Sequence, residues 1–331
     1  VTVEGVEETA TEAAAAEGAA AEAALGDASA DCTVDGAGRL VLRLSAPALA
    51  PTARPRLLFV LRTPDARADE TGHVLDLARR DDGRWHATLG AEPVLAEGRW
   101  DPYLVDGLPD GEPRRRLRPG LLDLRALVGR EPADGTADGE RPLAVRLPYV
   151  TVDRRLAVRT WLRTAHAEAG EIRVGDHALT VCGRLYGARL GDGAAALLRR
   201  RGAGTVREAA LRADGAHDFT FTVDHRDLLA ERGPGPGGDG DAGLDVWDAF
   251  VRPEAAAPGN PPSRWVRVGR LLDDVLDRKN VFVYPARTLD GVRVRPYYTV
   301  DNELAVELAP VPGSTAASGV RRGVLARLRR R

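Results

Sequence analysis

Arginine and aromatic residues crowd one stretch of this 331-residue chain: Arg264, Trp265, Arg267 and Arg270, then Arg293, Tyr297 and Tyr298. A guanidinium offers a planar fork of donors that matches phosphate or carboxylate, and an aromatic face stacks on a cation or on the apolar side of a sugar ring. Together these residue types suit a sugar phosphate or an anionic glycan, and the seven form the candidate ligand-binding set.

Other patterns that could do chemistry are weaker. Asp239-Gly240-Asp241 has the spacing by which sugar-nucleotide transferases chelate a divalent metal, but it stands in a glycine-rich loop rather than after a strand of a nucleotide-binding sheet. Gly233-Pro234-Gly235-Pro236-Gly237-Gly238 has prolines and no lysine, so it reads as a loop and not as a phosphate cradle. No Gly-x-Ser-x-Gly elbow exists, and Ser314, which follows Gly313, lies in the terminal stretch. His73, His86, His166, His177, His217 and His225 never form a His-x-x-x-His pair and read as surface or strand-edge residues. Cys32, in the acidic leading stretch, and Cys182, in an expected strand, form neither a disulfide framework nor a metal site. Asp123 and Asp273 are expected to pair with Arg118 or Arg267. The sequence thus offers no catalytic residue, no metal site and no cofactor.

The elements that must position the seven come from a duplication. Pro148-Tyr149-Val150-Thr151-Val152-Asp153-Arg154-Arg155-Leu156-Ala157-Val158 and Pro296-Tyr297-Tyr298-Thr299-Val300-Asp301-Asn302-Glu303-Leu304-Ala305-Val306 agree at eight of eleven positions. Trp100-Asp101-Pro102-Tyr103 and Trp247-Asp248-Ala249-Phe250 precede them by nearly the same interval. Arg118 to Asp123 answers Arg267 to Asp273, which sets Trp265 against Arg116. Within each copy the hydrophobic period is two, as in Leu40, Leu42 and Leu44 or Leu304, Val306 and Leu308, and turn dipeptides such as Asp82-Gly83 and Asp301-Asn302 separate the runs. The expected fold is therefore all-β: two tandem immunoglobulin-like or related antiparallel β-sandwiches, at 36–162 and 172–309, joined by a linker at 163–171. A helix could lie over Leu271 to Asp277. Trp100 and Trp247 are expected in the cores, Tyr149 and Tyr297 at strand corners with their hydroxyls on backbone, and Asp153 and Asp301 in hairpin turns.

The ends differ from the middle. Residues 1–35 hold six Glu and three Asp with no Lys or Arg, and are expected as an acidic disordered tail; 310–331 form a basic tail with six Arg from Arg321 to Arg331. That basic segment suits weak contact with a membrane surface or an acidic partner. No run of about 20 apolar residues is present and the leading residues lack a secretory pattern, so the chain is expected in the cytoplasm, peripheral to the inner face of the membrane. Formal net charge is −2, which argues against nucleic acid as a partner. Of 47 basic residues all but Lys279 are arginine, a bias that fits a high-GC genome.

Trp247-Asp248-Ala249-Phe250-Val251-Arg252, Arg267-Val268-Gly269-Arg270-Leu271-Leu272-Asp273-Asp274 and Arg295-Pro296-Tyr297-Tyr298-Thr299, with Asn302 and Leu304, carry a family resemblance. The wording resembles β-rich domains fused to or encoded beside family 2 glycosyltransferases and CDP-glycerol glycerophosphotransferases of high-GC bacteria, whose stand-alone relatives often bear the label transferase. It covers both copies and neither tail. The resemblance implies a role in making a cell-wall glycopolymer of the teichoic-acid kind, with such a transferase as partner. Catalytic domains of those enzymes are α/β, and nothing here matches one. The chain reads first as a non-catalytic accessory protein that binds glycan, polyol-phosphate polymer or the transferase. The competing reading is a glycosyl or glycerophosphoryl transferase using Asp248, Arg267, Asp273 and Tyr297.

Overall fold

A computed structural model describes residues 28–47, 49, 53–63, 72–90, 94–106, 114–133, 135–231, 244–255 and 264–311. The loop at 233–238, Asp239 to Asp241, Ser314 and the arginine-rich stretch from Arg321 lie outside them. The described residues are mostly strand, as the period-two patterning requires, and they divide into two compact units.

Unit 1 comprises 28–168, 185–189 and 270–278. Its strands are β1 (Ser29–Val34), β2 (Leu40–Ser45), β3 (Pro55–Leu61), β4 (Gly72–Asp76), β5 (Ala78–Arg79), β6 (Trp85–Leu89), β7 (Gly98–Asp106), β8 (Arg114–Arg116), β9 (Arg118–Asp123), β10 (Leu143–Val150) and β11 (Leu156–Arg163). One sheet runs β5-β6-β2-β1-β9; the other runs β10-β11-β7-β3-β4, with β8 also on β7. Pairing is antiparallel except between β1 and β9, which run parallel. Buried Leu77 separates β4 from β5 and buried Leu117 separates β8 from β9, so two passes of chain leave one sheet and join the other at these leucines. Trp100, Phe59, Leu104, Val158, Leu42 and Leu89 fill the space between the sheets.

Unit 2 comprises 169–184, 190–269 and 279–311. It holds β12 (His166–Val174, from residue 169 on), β13 (Ala178–Tyr186), β14 (Ala195–Arg200), β15 (Val206–Asp214), β16 (Asp218–Asp224), α1 (His225–Ala230), β17 (Asp245–Arg252), β18 (Val266–Gly269), the single-turn α2 (Arg278–Val281), β19 (Arg287–Leu289), β20 (Val292–Tyr298) and β21 (Leu304–Pro310). The strands form a closed ring, β14-β15-β16-β13-β12-β18-β17, sealed by pairing of β14 with β17; β21, β20 and β19 extend from β17. Trp247, Phe221, Val181, Val268 and Val306 are buried inside. Asp224 caps α1 by accepting from the Arg226 amide.

The duplication holds strand by strand. Val158 faces Trp100 and Pro148 faces Val158 in unit 1; Val306 faces Trp247 and Pro296 faces Val306 in unit 2. Tyr103 faces Arg116 as Phe250 faces Arg267. The strand order β10-β11-β7-β3-β4 repeats as β20-β21-β17-β14-β15.

All-β is therefore correct, while several finer expectations change. Unit 2 closes into a barrel instead of leaving two separate sheets, because β15 and β18 each run unbroken where Leu77 and Leu117 interrupt their counterparts. Each copy opens one strand earlier than expected: β1 lies inside the stretch read as an acidic tail, and β12 occupies the expected linker. Alternation identifies both in hindsight, since Ala30, Cys32 and Val34 are buried. Cys32 is thus a core residue, its thiol pushed up to about 12 by burial and then by neighbouring Asp31. Residues 271–277 form bends and no helix.

Candidate functional site

Each unit holds, at the equivalent place on its central strand, a buried carboxylate between two arginines. In unit 2, Asp248 on β17 accepts from Arg201, which follows β14, at 3.0 Å (Nε to Oδ1) and 2.7 Å (Nη2 to Oδ1), and from Arg267 on β18 at 2.6 Å (Nη2 to Oδ1). Arg267 also donates from Nε to Glu303 at 3.1 Å. In unit 1, Asp101 on β7 accepts from Arg62 at 2.7 and 2.6 Å and from Arg116 at 2.8 Å, while Arg116 reaches Asp153 at 2.8 Å. Shared ladder register makes Arg116 the counterpart of Arg267, so the sequence alignment that paired Arg267 with Arg118 slips by two residues. Trp265 accordingly stands where unit 1 has Arg114, not Arg116. The second acid has moved along the hairpin: unit 1 uses Asp153, whereas unit 2 uses Glu303, at the position where unit 1 carries Arg155.

Burial alone would push the Asp248 carboxyl up, but Arg201 and Arg267 outweigh it and hold the group below its ordinary value. Hydrogen bonding to Asp248 in turn raises Arg201. Both oxygens of Asp248 accept from guanidiniums, and the lowered pKa makes this carboxylate a weak base. Asp273, the other carboxylate of the transferase reading, lies in unit 1. It accepts from Arg270 at 2.7 Å, from the Val275 amide at 3.0 Å and from fully buried Arg278. Its partners are not Arg267, and those of Asp123 are on Arg125. Among the described residues no three His, Cys, Asp or Glu groups stand together as metal ligands, and no helix is long and apolar enough to cross a membrane.

The seven residues singled out in the sequence do not form one cluster. Arg270 belongs to unit 1, and Tyr298 points inward, fully buried, with Phe282 and Tyr284 on it at ring separations of 5.9 and 6.2 Å. Trp265 is 36% exposed, tilted against Phe250 at 5.8 Å, and Arg264 beside it is exposed. Alternation along β20 turns Arg293, Arg295 and Tyr297 outward and Val292, Val294, Pro296 and Tyr298 inward. Tyr297 shares a face with Arg201, Glu307, Asp248 and Arg267; burial raises its phenol and the two arginines act against that.

Phe250, Arg199, Arg201, Arg295, Glu303 and Glu307 are members of this face that sequence reasoning missed. Phe250 sits between Arg199 and Arg267, each guanidinium carbon 4.8 Å from its ring centre. Its unit 1 counterpart Tyr103 carries Arg114 at 4.9 Å. Glu307 is shared by Arg295 at 3.2 Å and Arg293 at 3.7 Å. Five guanidiniums, Arg199, Arg201, Arg267, Arg293 and Arg295, thus meet three carboxylates, Asp248, Glu303 and Glu307. The matching strip of unit 1 is apolar: Val145 and Leu147 occupy the positions of Arg293 and Arg295, and they are buried with Trp161 and Leu271. Unit 1 also holds a buried His166–Glu168 contact of 2.7 Å that no histidine spacing announced.

No family model matches the chain, and no curated protein matches it. Among solved structures, S. aureus TarS is similar at 12% identity and a TM-score of 0.29, over 61% of this chain and 37% of that one. Its 217–571 fragment gives 13% identity and a TM-score of 0.29, over 61% of this chain and 57% of that one. The chain spans less than two thirds of either, and a likeness of that size transfers neither fold nor function.

Proposed function

We propose that the chain is an accessory binding module built from two variants of one β-rich unit, the first a two-sheet sandwich and the second a closed barrel, with the outer face of unit 2 holding an anionic cell-wall glycopolymer of the polyol-phosphate kind. The observation that carries this is the excess of guanidinium over carboxylate on a face that also presents Trp265 and, half-buried, Tyr297. Net positive charge attracts repeated phosphates, and the rings suit the apolar sides of sugar units carried on the polymer. Unit 1 gave up the equivalent strip to its own packing, so one copy supports and the other binds. The family resemblance supports the polymer class and a transferase partner at the cytoplasmic face of the membrane.

Titration calorimetry with poly(glycerol phosphate) and with neutral dextran tests the reading. Binding of the phosphate polymer alone, weakened by salt and lost in Trp265→Ala at unchanged melting temperature, is the expected result. Equal affinity for both polymers, or none for either, would sink it. Turnover of CDP-glycerol by the isolated chain would replace it with the transferase reading.

A further inference from the structure

β19 pairs with β20 only as far as Arg287 with Val294, whereas β20 continues to Tyr298, alongside Phe282 and Tyr284. A cavity of about 250 Å³ lies along this part of β20, walled by Phe282, Tyr284 and Tyr297, with Lys279, Asn280 and Arg295 supplying its polar groups. We infer that this cavity takes one sugar ring bearing a phosphate, as a terminal or branch unit of the polymer held on the face next to it. The inference rests on the binding reading above for that polymer, but it has its own chemistry, and Lys279, Asn280, Phe282 and Tyr284 belong to the cavity and not to the face.

Three aromatic walls fit the two apolar faces of a pyranose better than a flexible polyol, which presents no flat surface to stack on. Phe282 and Tyr284 rest on buried Tyr298, which fixes their planes before any ligand arrives. Charge comes from Lys279, the sole lysine of the chain, and from Arg295, which shares Glu307 with Arg293 and so leaves that trio net positive. A volume of about 250 Å³ falls short of the roughly 300–1,000 Å³ of sites for drug-sized ligands, so a nucleotide-activated sugar exceeds it. At the matching position of unit 1, Leu147 replaces Arg295 and is buried.

Saturation-transfer NMR and calorimetry with glucose 1-phosphate, glucose and inorganic phosphate test this. Glucose 1-phosphate should bind about tenfold or more tightly than either of the others, as one charge-assisted contact added to stacking requires. Lys279→Gln and Tyr284→Ala should each reduce that affinity by about tenfold. Lys279 is exposed, so its variant keeps the test valid if Tyr284→Ala loses the fold. Failure of glucose 1-phosphate to bind, equal binding of inorganic phosphate, or indifference to Lys279→Gln overturns the inference. Polymer binding without sugar-phosphate binding removes the cavity and leaves the face. Lys279-dependent sugar-phosphate binding without polymer binding does the reverse.

Discussion

A carboxylate that accepts from two guanidiniums gains most when water is kept away, and the Asp248 side chain is only 11% exposed. Removing it leaves Arg201 and Arg267 facing each other with no carboxylate between them. Arg201 is half exposed and Arg267 keeps Glu303, so Asp248→Ala should lose about 1–3 kcal/mol in denaturant unfolding, the range for hydrogen bonds to a charged group. Because the folded pKa lies below the usual 3.8, the stability this group contributes is present above that value and is lost as pH falls through the folded one. The gap between wild type and Asp248→Asn should be full at neutral pH and close in acid below about 3.8; a gap that persists there would mean that shape, and not ionisation, is what Asn fails to supply. Little of this was legible beforehand. Trp247 announced itself as core by size and repetition, but Arg201 lies 47 residues from Asp248 and Arg62 lies 39 from Asp101, in stretches where the copies share no recognisable words. Pairing across such distances is fixed by strand register, which a sequence does not print.

Hairpins show the opposite balance, because their geometry is local. At the β10–β11 tip the Thr151 amide donates to Arg155 and the Arg154 amide to Thr151; at the β20–β21 tip Thr299 and Asn302 repeat both bonds with Glu303 and Thr299. Each tip needs one left-handed residue, Arg154 at φ 58° and Asn302 at φ 62°. Asn tolerates that region and Arg does so less readily. The turn itself was readable from Thr-Val-Asp, but the residue under constraint is the one after the aspartate. Arg154→Val should lower the stability of unit 1 by about 1–2 kcal/mol, whereas Arg154→Gly should be neutral or slightly stabilising. Thermal melts of the two variants beside wild type decide it; a Val variant as stable as wild type would show that the tip can flip to another turn. Cross-strand register tells the same story at larger reach: Pro148 against Val158 and Pro296 against Val306 follow from these turns, so both hairpins were legible as far as their strands extend.

What the whole chain does with its two copies depends on a segment that order in the sequence assigns to the wrong one. Residues 270–278 follow β18 of unit 2 but pack in unit 1, where Leu271 joins Val145, Leu147 and Trp161, and Arg278 lies over the Trp161 ring at 5.6 Å. The Glu168 carboxylate fixes this segment by accepting from the Leu271 and Leu272 amides at 2.8 and 3.0 Å. Contiguous boundaries at 162 and 172 could not anticipate it, since a run of Leu, Asp and Val reads equally well as one more strand or a helical turn of its own copy. The same packing explains why the copies diverged. Val145 and Leu147 are covered in unit 1, whereas Arg293 and Arg295 face outward in unit 2. Leu271→Ala should therefore cost about 2–5 kcal/mol by leaving a cavity in unit 1, and hydrogen exchange should quicken in β10 and β11 while β17 and β20 keep their protection. Faster exchange in β20, with β10 unchanged, would return residues 270–278 to unit 2 and leave the confinement of the charged face to one copy without a physical cause.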